Sequence, residues 1–118
     1  MNIWIQYADS STLDVKANTA DEAIKAFKDF DWKKEREKQK KIGPDDSIDP
    51  GFGCGVWGEE RFIHIIPKDN NNVEVLYVKT KAALNEQFMG ENLTHEQAEE
   101  IIRAYFTSDE DTIMKYCN

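Results

Sequence analysis

The N-terminal residues alternate between apolar and polar positions in two short runs. Ile3 and Ile5 mark one side of the first run, and Leu13 and Val15 repeat the same period after an Asp-Ser-Ser segment. A period of two residues is that of a β-strand with one buried face, and Asp and Ser favour turns. The pattern therefore predicts a β-hairpin over residues 2–17.

The next segment has the pattern of an amphipathic helix. Thr19 and Glu22 have the spacing of a capping box, in which each side chain accepts a backbone N–H of the other residue. Phe27 and Phe30 then continue an apolar stripe at helical spacing. We therefore expect a helix near 19–41.

The second half of this predicted helix carries no core face. Residues 33–41 contain no apolar side chain, and Gly43-Pro44 ends any helix that reaches them. The segment is expected to be either a helical tail projecting into solvent or a mobile arm.

Three further runs predict strands at 52–57, 61–67 and 73–79, joined by short turns. Connections this short favour an antiparallel meander. The middle run has apolar residues at both odd and even positions, which predicts a central strand covered on both faces.

The C-terminal third is predicted to be helical. Thr94 and Gln97 form a second capping box, and apolar residues follow at the spacing of a core-facing helix. A short helix starts at Ser108, and residues 81–89 are read as one or two further helical turns. The predicted fold is a single α+β domain over 1–118, with an antiparallel sheet of about five strands and helices packed on it.

Charge limits the classes of partner. The 118 residues carry a net charge of −8, although the segment 25–42 holds eight basic residues against four acids. Nucleic acid and anionic membranes are disfavoured partners for such a chain, because both would repel it. No apolar run is long enough to span a bilayer, no secretory signal follows Met1, and two cysteines do not form a disulfide framework. A cytoplasmic location is expected.

Gly53–Gly58 matches the G-x-G-x-x-G pattern of dinucleotide sites. That chemistry needs a helix N-terminus after the glycines, whereas here a predicted strand follows and the neighbouring residues are acidic. The alternation of Gly51, Gly53 and Gly55 instead indicates a bulge or a close approach to the backbone.

Cys54 and His64 are the candidates for a nucleophile and its base. A reactive thiol needs a positive surrounding, but Cys54 lies in the most acidic part of the chain. Cys54, His64, His95 and Cys117 could also be zinc ligands, but no two of them have the short spacing that is typical of a zinc site. We predict no catalytic residue, no metal and no cofactor.

A surface for a protein partner is the remaining candidate. Trp57 lies beside Glu59 and Glu60, and an aromatic side chain ringed by charge is common at protein interfaces. The acidic loop that precedes Trp57 is expected to join these residues in one acidic patch. The competing interpretation is that Trp57 is a core residue and that the acids only keep the protein in solution. The predicted partner-binding residues are Asp45, Asp46, Asp49, Trp57, Glu59 and Glu60.

The chain resembles small bacterial immunity proteins, the antidotes to polymorphic and contact-dependent growth-inhibition toxins. The resemblance lies in its length, its acidity, its α+β plan and the stretch Trp57-Gly58-Glu59-Glu60. It implies a protein that binds one basic toxin domain and occludes its active site or substrate groove. The basic segment 25–42 departs from a uniformly acidic antidote. A small Cys/His enzyme, a phage-type inhibitor or nucleic-acid mimic, and an accessory subunit remain alternatives.

Overall fold

A computed structural model describes residues 1–43, 45–46, 49–56, 58–68, 72–79 and 86–117. Strands and helices alternate in blocks along the chain, as expected for an α+β fold. The strands are β1 Asn2–Gln6, β2 Thr12–Lys16, β3 Gly51–Gly55, β4 Phe62–Pro67, β5 Val73–Val78 and β6 Gln87–Leu93. The helices are α1 Ala20–Asp29, α2 Trp32–Ile42, α3 His95–Phe106 and α4 Glu110–Tyr116.

The strands form one antiparallel sheet in the order β2-β1-β3-β4-β5-β6. The N-terminal hairpin and the β3–β4–β5 meander are both confirmed. Pairing of β1 with β3 joins these two units, with Trp4 directly opposite Gly53. The sheet is therefore continuous across the molecule.

The helices pack on one face of this sheet. Ile3 and Ile5 of β1 and Ile63 and Ile65 of β4 point toward them and are buried in a single core. On the opposite face, which we call the open face, the alternate side chains of the same strands are half-buried. In the described part of the chain helices cover only one face of β4, so the covering predicted for both faces of the central strand is seen on one.

The predicted helix starts are confirmed. The Thr19 side chain accepts the backbone N–H of Glu22 at 3.2 Å, but the Glu22 carboxylate accepts the N–H of Asn18 instead of that of Thr19, so the capping box predicted there is half formed. At α3, Thr94 accepts the backbone N–H of Gln97 and the Gln97 side chain accepts that of Thr94, which completes a capping box. None of the helices in the described part of the chain is long and apolar enough to cross a bilayer.

The predicted helix near 19–41 is in fact two helices. Phe30 has an extended backbone that ends α1, and the Asp31 side chain caps α2 by accepting the backbone N–H of Lys34. The chain turns between them so that Phe30 and Trp32 both enter the core, with ring centroids 4.4 Å apart. Burial of two large aromatic side chains offsets the loss of helical hydrogen bonds at the break.

Helix α2 docks on the rest of the protein through polar contacts. The buried Glu35 carboxylate accepts the backbone N–H of Ala8 at 3.0 Å, and Gln39 donates to Asp49 at 2.7 Å. Lys38 lies 3.4 Å from Asp9. The segment 33–41 is therefore neither a tail projecting into solvent nor a mobile arm.

A sixth strand stands where the end of the helical turns predicted at 81–89 was expected. Residues 87–89 belong to β6, whereas 80–85 lie outside the described residues. The pairing of β5 with β6 shifts register between Val73 and Val75. That shift lies opposite 90–93, beyond the residues predicted to be helical. Within Gln87–Met89 two apolar residues follow one another, so the period of two that identifies a strand is absent there.

Candidate functional site

The glycines of β3 mark a close approach of neighbouring side chains on the open face. A Cβ at Gly53 would lie 1.9 Å from the Trp4 ring, and one at Gly51 would lie 2.6 Å from Nε2 of His64. Trp4 and His64 come from the strands on either side of β3. The predicted close approach is confirmed, and it is made by side chains lying across the strand.

A groove with a volume of about 550 Å³ opens beside this glycine strand. We call it the open-face groove. Its floor comes from β1, β2 and the end of β3, and its wall comes from the β3–β4 turn. The lining residues are Asn2, Trp4, Gln6, Thr12, Asp14, Gly55, Val56, Gly58, Glu59, Glu60, Arg61 and Phe62.

Two aromatic side chains form the apolar part of the groove. Trp4 and Phe62 meet edge to face, with centroids 5.9 Å apart and an interplanar angle of 61°. Both are half-buried. An indole face that remains in contact with water can bind apolar groups and cations.

The mouth of the groove is acidic. Asp14 from β2 and Glu59 and Glu60 from the β3–β4 turn line it, and all three residues are exposed. The single basic residue among the lining residues, Arg61, is directed toward the tyrosines of the interior. Its guanidinium lies 4.2 Å from the centroid of the Tyr105 ring, and its Nε donates to the Tyr77 hydroxyl at 3.2 Å.

The Tyr105 hydroxyl forms a hydrogen bond with the backbone just before β4. It donates to the carbonyl oxygen of Arg61 at 2.9 Å. Burial raises the pKa of Tyr105 to about 12, although the nearby Arg61 guanidinium acts in the opposite direction. The phenol is protonated at neutral pH with or without this shift, and its hydrogen bond links α3 to the residue before β4.

The structure separates the predicted partner-binding residues into two groups. Glu59 and Glu60 lie at the groove mouth, after β3, whereas Asp45, Asp46 and Asp49 precede β3 and lie at its other end. All five are exposed. Trp57 lies outside the described residues. Of these five acids, Glu59 and Glu60 line the groove, and the prediction that all six residues bind one partner stays a prediction.

A larger depression of about 780 Å³ lies between the α1–α2 junction and the start of α3. It is more open than the groove, and its lining mixes Lys28 and Lys33 with Asp29 and Asp31. Charges of both signs give it no single electrostatic preference. The smaller, more enclosed groove is the better defined candidate.

Cys54 and His64 are on opposite faces of the sheet. Cys54 is fully buried beneath the helices, and burial raises its pKa to about 12. His64 lies on the open face, across from Gly53. A thiolate–imidazole pair cannot form between these two positions, because the sheet itself separates their side chains.

The other motifs also lack the surroundings that their chemistry needs. Gly53–Gly58 runs through a strand into a turn, and β4 follows where a dinucleotide site needs a helix. Among the described residues, no group of three or more His, Cys, Asp or Glu side chains is placed to hold a metal ion. Cys117 is a buried free thiol, with a pKa raised to about 11 by burial.

His64 should make stability fall on acidification. Its Nε2 is shielded from water without a hydrogen-bond partner among the described residues, and burial lowers its pKa although the charge of Asp49 raises it. Below the unfolded value of 6.5 the unfolded chain therefore takes up a proton that the folded chain does not, and stability is lost as pH falls. Through this one group, the free energy of unfolding changes by at most about 1.4 kcal/mol per pH unit.

Urea unfolding between neutral pH and pH 5 measures this slope. His64→Gln should flatten it in that range, and an NMR titration in a His95→Gln background reports the His64 ring alone. An unchanged slope in His64→Gln would show that other groups set the pH dependence.

Apart from Glu59 and Glu60, the described residues that build the groove were not among the predicted site residues. Trp4, Asp14 and Phe62 come from three strands, and only the pairing of β1 with β2 and of β3 with its two neighbours brings them together. The glycine alternation was the one sequence signal that pointed to this face. No protein-family model, curated protein or solved structure matches the chain.

Proposed function

We propose that this protein is a protein-binding module that uses the open-face groove to neutralise a cognate bacterial toxin, as immunity proteins do. The observation that carries the proposal is the aromatic pair of Trp4 and Phe62 beneath an acidic mouth, on a sheet face that the helices leave uncovered. The toxin would be blocked by occlusion of its active site or substrate groove.

The chemistry of the groove fits a basic side chain of the partner. A lysine or arginine entering past Asp14, Glu59 and Glu60 would lose part of its hydration but gain carboxylate contacts. Its cation or its aliphatic stem would then lie against the indole of Trp4. The net charge of −8 would in addition accelerate the encounter with a basic domain.

Two features favour a binding role over the alternatives from the sequence. Cys54 and His64 do not meet, so the Cys/His enzyme lacks its nucleophile and base. A nucleic-acid mimic needs carboxylates in rows over one surface, whereas the candidate acids lie at opposite ends of β3 around an aromatic groove.

Growth rescue tests the proposal directly. A toxin domain encoded beside this gene is expressed in a bacterial host with and without the protein, and the affinity of the purified pair is measured over a salt series. We expect Trp4→Ala to weaken binding by about 30-fold or more, as for an interface hot spot, and to abolish rescue. Glu59→Lys/Glu60→Lys should slow association and reduce its salt dependence.

Asp45→Lys/Asp46→Lys is the matched control. It makes the same change in net charge at the other end of β3, also at exposed residues. Rescue and affinity should remain close to those of the unmodified protein. Equal losses in the two double variants would assign the effect to overall charge, and a groove variant that still rescues growth would exclude the groove as the binding site.

A further inference from the structure

Strand β2 forms an edge of the sheet that is open to a second strand. Among the described strands it pairs only with β1, and all five of its residues are exposed. The backbone N–H of Tyr7 donates to the carbonyl oxygen of Ser11 at 2.9 Å, and the backbone N–H of Ala17 donates to the carbonyl oxygen of Met1 at 3.0 Å. Because backbone groups alternate in an antiparallel ladder, those of Thr12, Asp14 and Lys16 face away from β1.

The same strand exposes two apolar side chains. Leu13 and Val15 are 46% and 37% exposed, and they lie on the helix side of the sheet, opposite Ile5 and Ile3. The helices bury the two isoleucines but do not extend over the edge strand. An exposed strand with apolar side chains and unpaired backbone groups is a template for pairing, which proteins usually block with charge.

We propose that two copies of this chain pair through β2, antiparallel, about a two-fold axis at Val15. This register sets Asp14 of each copy opposite Lys16 of the other, on the open face, and sets the two Val15 side chains together on the helix side. Asp14 and Lys16 are also the residues whose backbone groups face outward, so each pair adds backbone hydrogen bonds, about four in all. The product is a continuous sheet of twelve strands, six from each copy.

The charges of the strand favour this register over those in which the two-fold axis lies at Asp14 or Leu13. An axis at Asp14 would place the two aspartates against each other, and an axis at Leu13 would leave both lysines without an acid opposite. Neither Asp14 nor Lys16 forms an ion pair with another residue in the described part of the chain. The charges that would block an unrelated strand therefore complement a second copy.

Sedimentation velocity of the full chain over a wide concentration range tests this pairing, and it does not depend on the proposed function. The unmodified protein should show a monomer–dimer equilibrium. Asp14→Lys and Lys16→Asp each place like charges in both cross-strand pairs, so each should weaken dimerisation by about tenfold or more. Both residues are exposed, and circular dichroism checks that each variant is folded.

Mixing the two variants gives the decisive result. One variant carries only positive charge at this edge and the other only negative charge, so the mixture should form a heterodimer where each alone is weakened. The double variant Asp14→Lys/Lys16→Asp should dimerise like the unmodified protein. A protein that stays monomeric at millimolar concentration, or dimers that are insensitive to both single changes, would overturn the proposal.

Discussion

Replacing Gly53 with alanine should lower the free energy of unfolding by about 2–3 kcal/mol and displace the indole of Trp4. The new Cβ would lie 1.9 Å from Cε2 and 2.2 Å from Nε1 of the Trp4 ring, which is far inside van der Waals contact. The ring cannot absorb the overlap by bending, so it must leave its position across β3. Urea unfolding gives the energy, and the tryptophan fluorescence spectrum reports the displacement.

A double-mutant cycle separates this clash from a general effect of alanine in the strand. In a Trp4→Ala background the space above Gly53 is empty, so Gly53→Ala should cost little, or stabilise slightly through the better strand propensity of alanine. Gly55→Ala is a graded comparison: its Cβ would lie 3.2 Å from Cβ of Phe62 and 3.3 Å from the Trp4 ring, which is tight but not an overlap, so it should cost less than Gly53→Ala. Equal losses for Gly53→Ala with and without Trp4 would contradict the explanation.

Local periodicity was sufficient to predict most of the fold. The hairpin over 2–17 and the meander beginning near residue 52 are built from neighbouring strands joined by short turns. Their apolar positions and turn residues are therefore read within one stretch of chain. The caps at Thr19 and Thr94 are equally local, since each is set by residues three positions apart.

The groove could not be predicted in the same way, because it depends on contacts between distant parts of the chain. Trp4 and Phe62 meet only because β3 lies between β1 and β4 and carries glycines where the two rings need space. The apolar alternation of β4 gave no sign of which face the helices would leave open. Of the predicted site residues that the structure describes, only Glu59 and Glu60 line this groove.

The second helix was misread for a different physical reason. A search for core-facing positions looks for apolar residues, but beyond Trp32 the docking face of α2 is polar: Glu35, Lys38 and Gln39 stand at i, i+3 and i+4. In composition this stripe does not differ from a solvated helix face. The contact that anchors it, from Ala8 to Glu35, spans 27 positions in the sequence.

Replacing Glu35 with alanine should therefore destabilise the protein by about 2–3 kcal/mol, a large effect for a residue in a lysine-rich segment. Glu35 is 6% exposed, and Ala8, whose N–H the carboxylate accepts, is fully buried. Removal leaves that donor without a partner and loses a charge-assisted hydrogen bond. Urea unfolding measures the loss, and amide hydrogen exchange at Ala8 should accelerate with it.

Two variants show whether this single contact anchors α2. Glu35→Gln keeps a carbonyl oxygen to accept the Ala8 N–H, so it should cost about 1 kcal/mol, well below the cost of alanine. Glu37→Ala removes the same side chain from an exposed position on the same helix and should stay within about 0.5 kcal/mol. If Glu35→Ala proved as mild as Glu37→Ala, the polar docking of α2 would not contribute to stability. A large loss of unfolding free energy in Glu35→Ala but not in Glu37→Ala would show that the Glu35 face of α2 is part of the folded core. The lysines of the basic segment would then form its solvent-facing side.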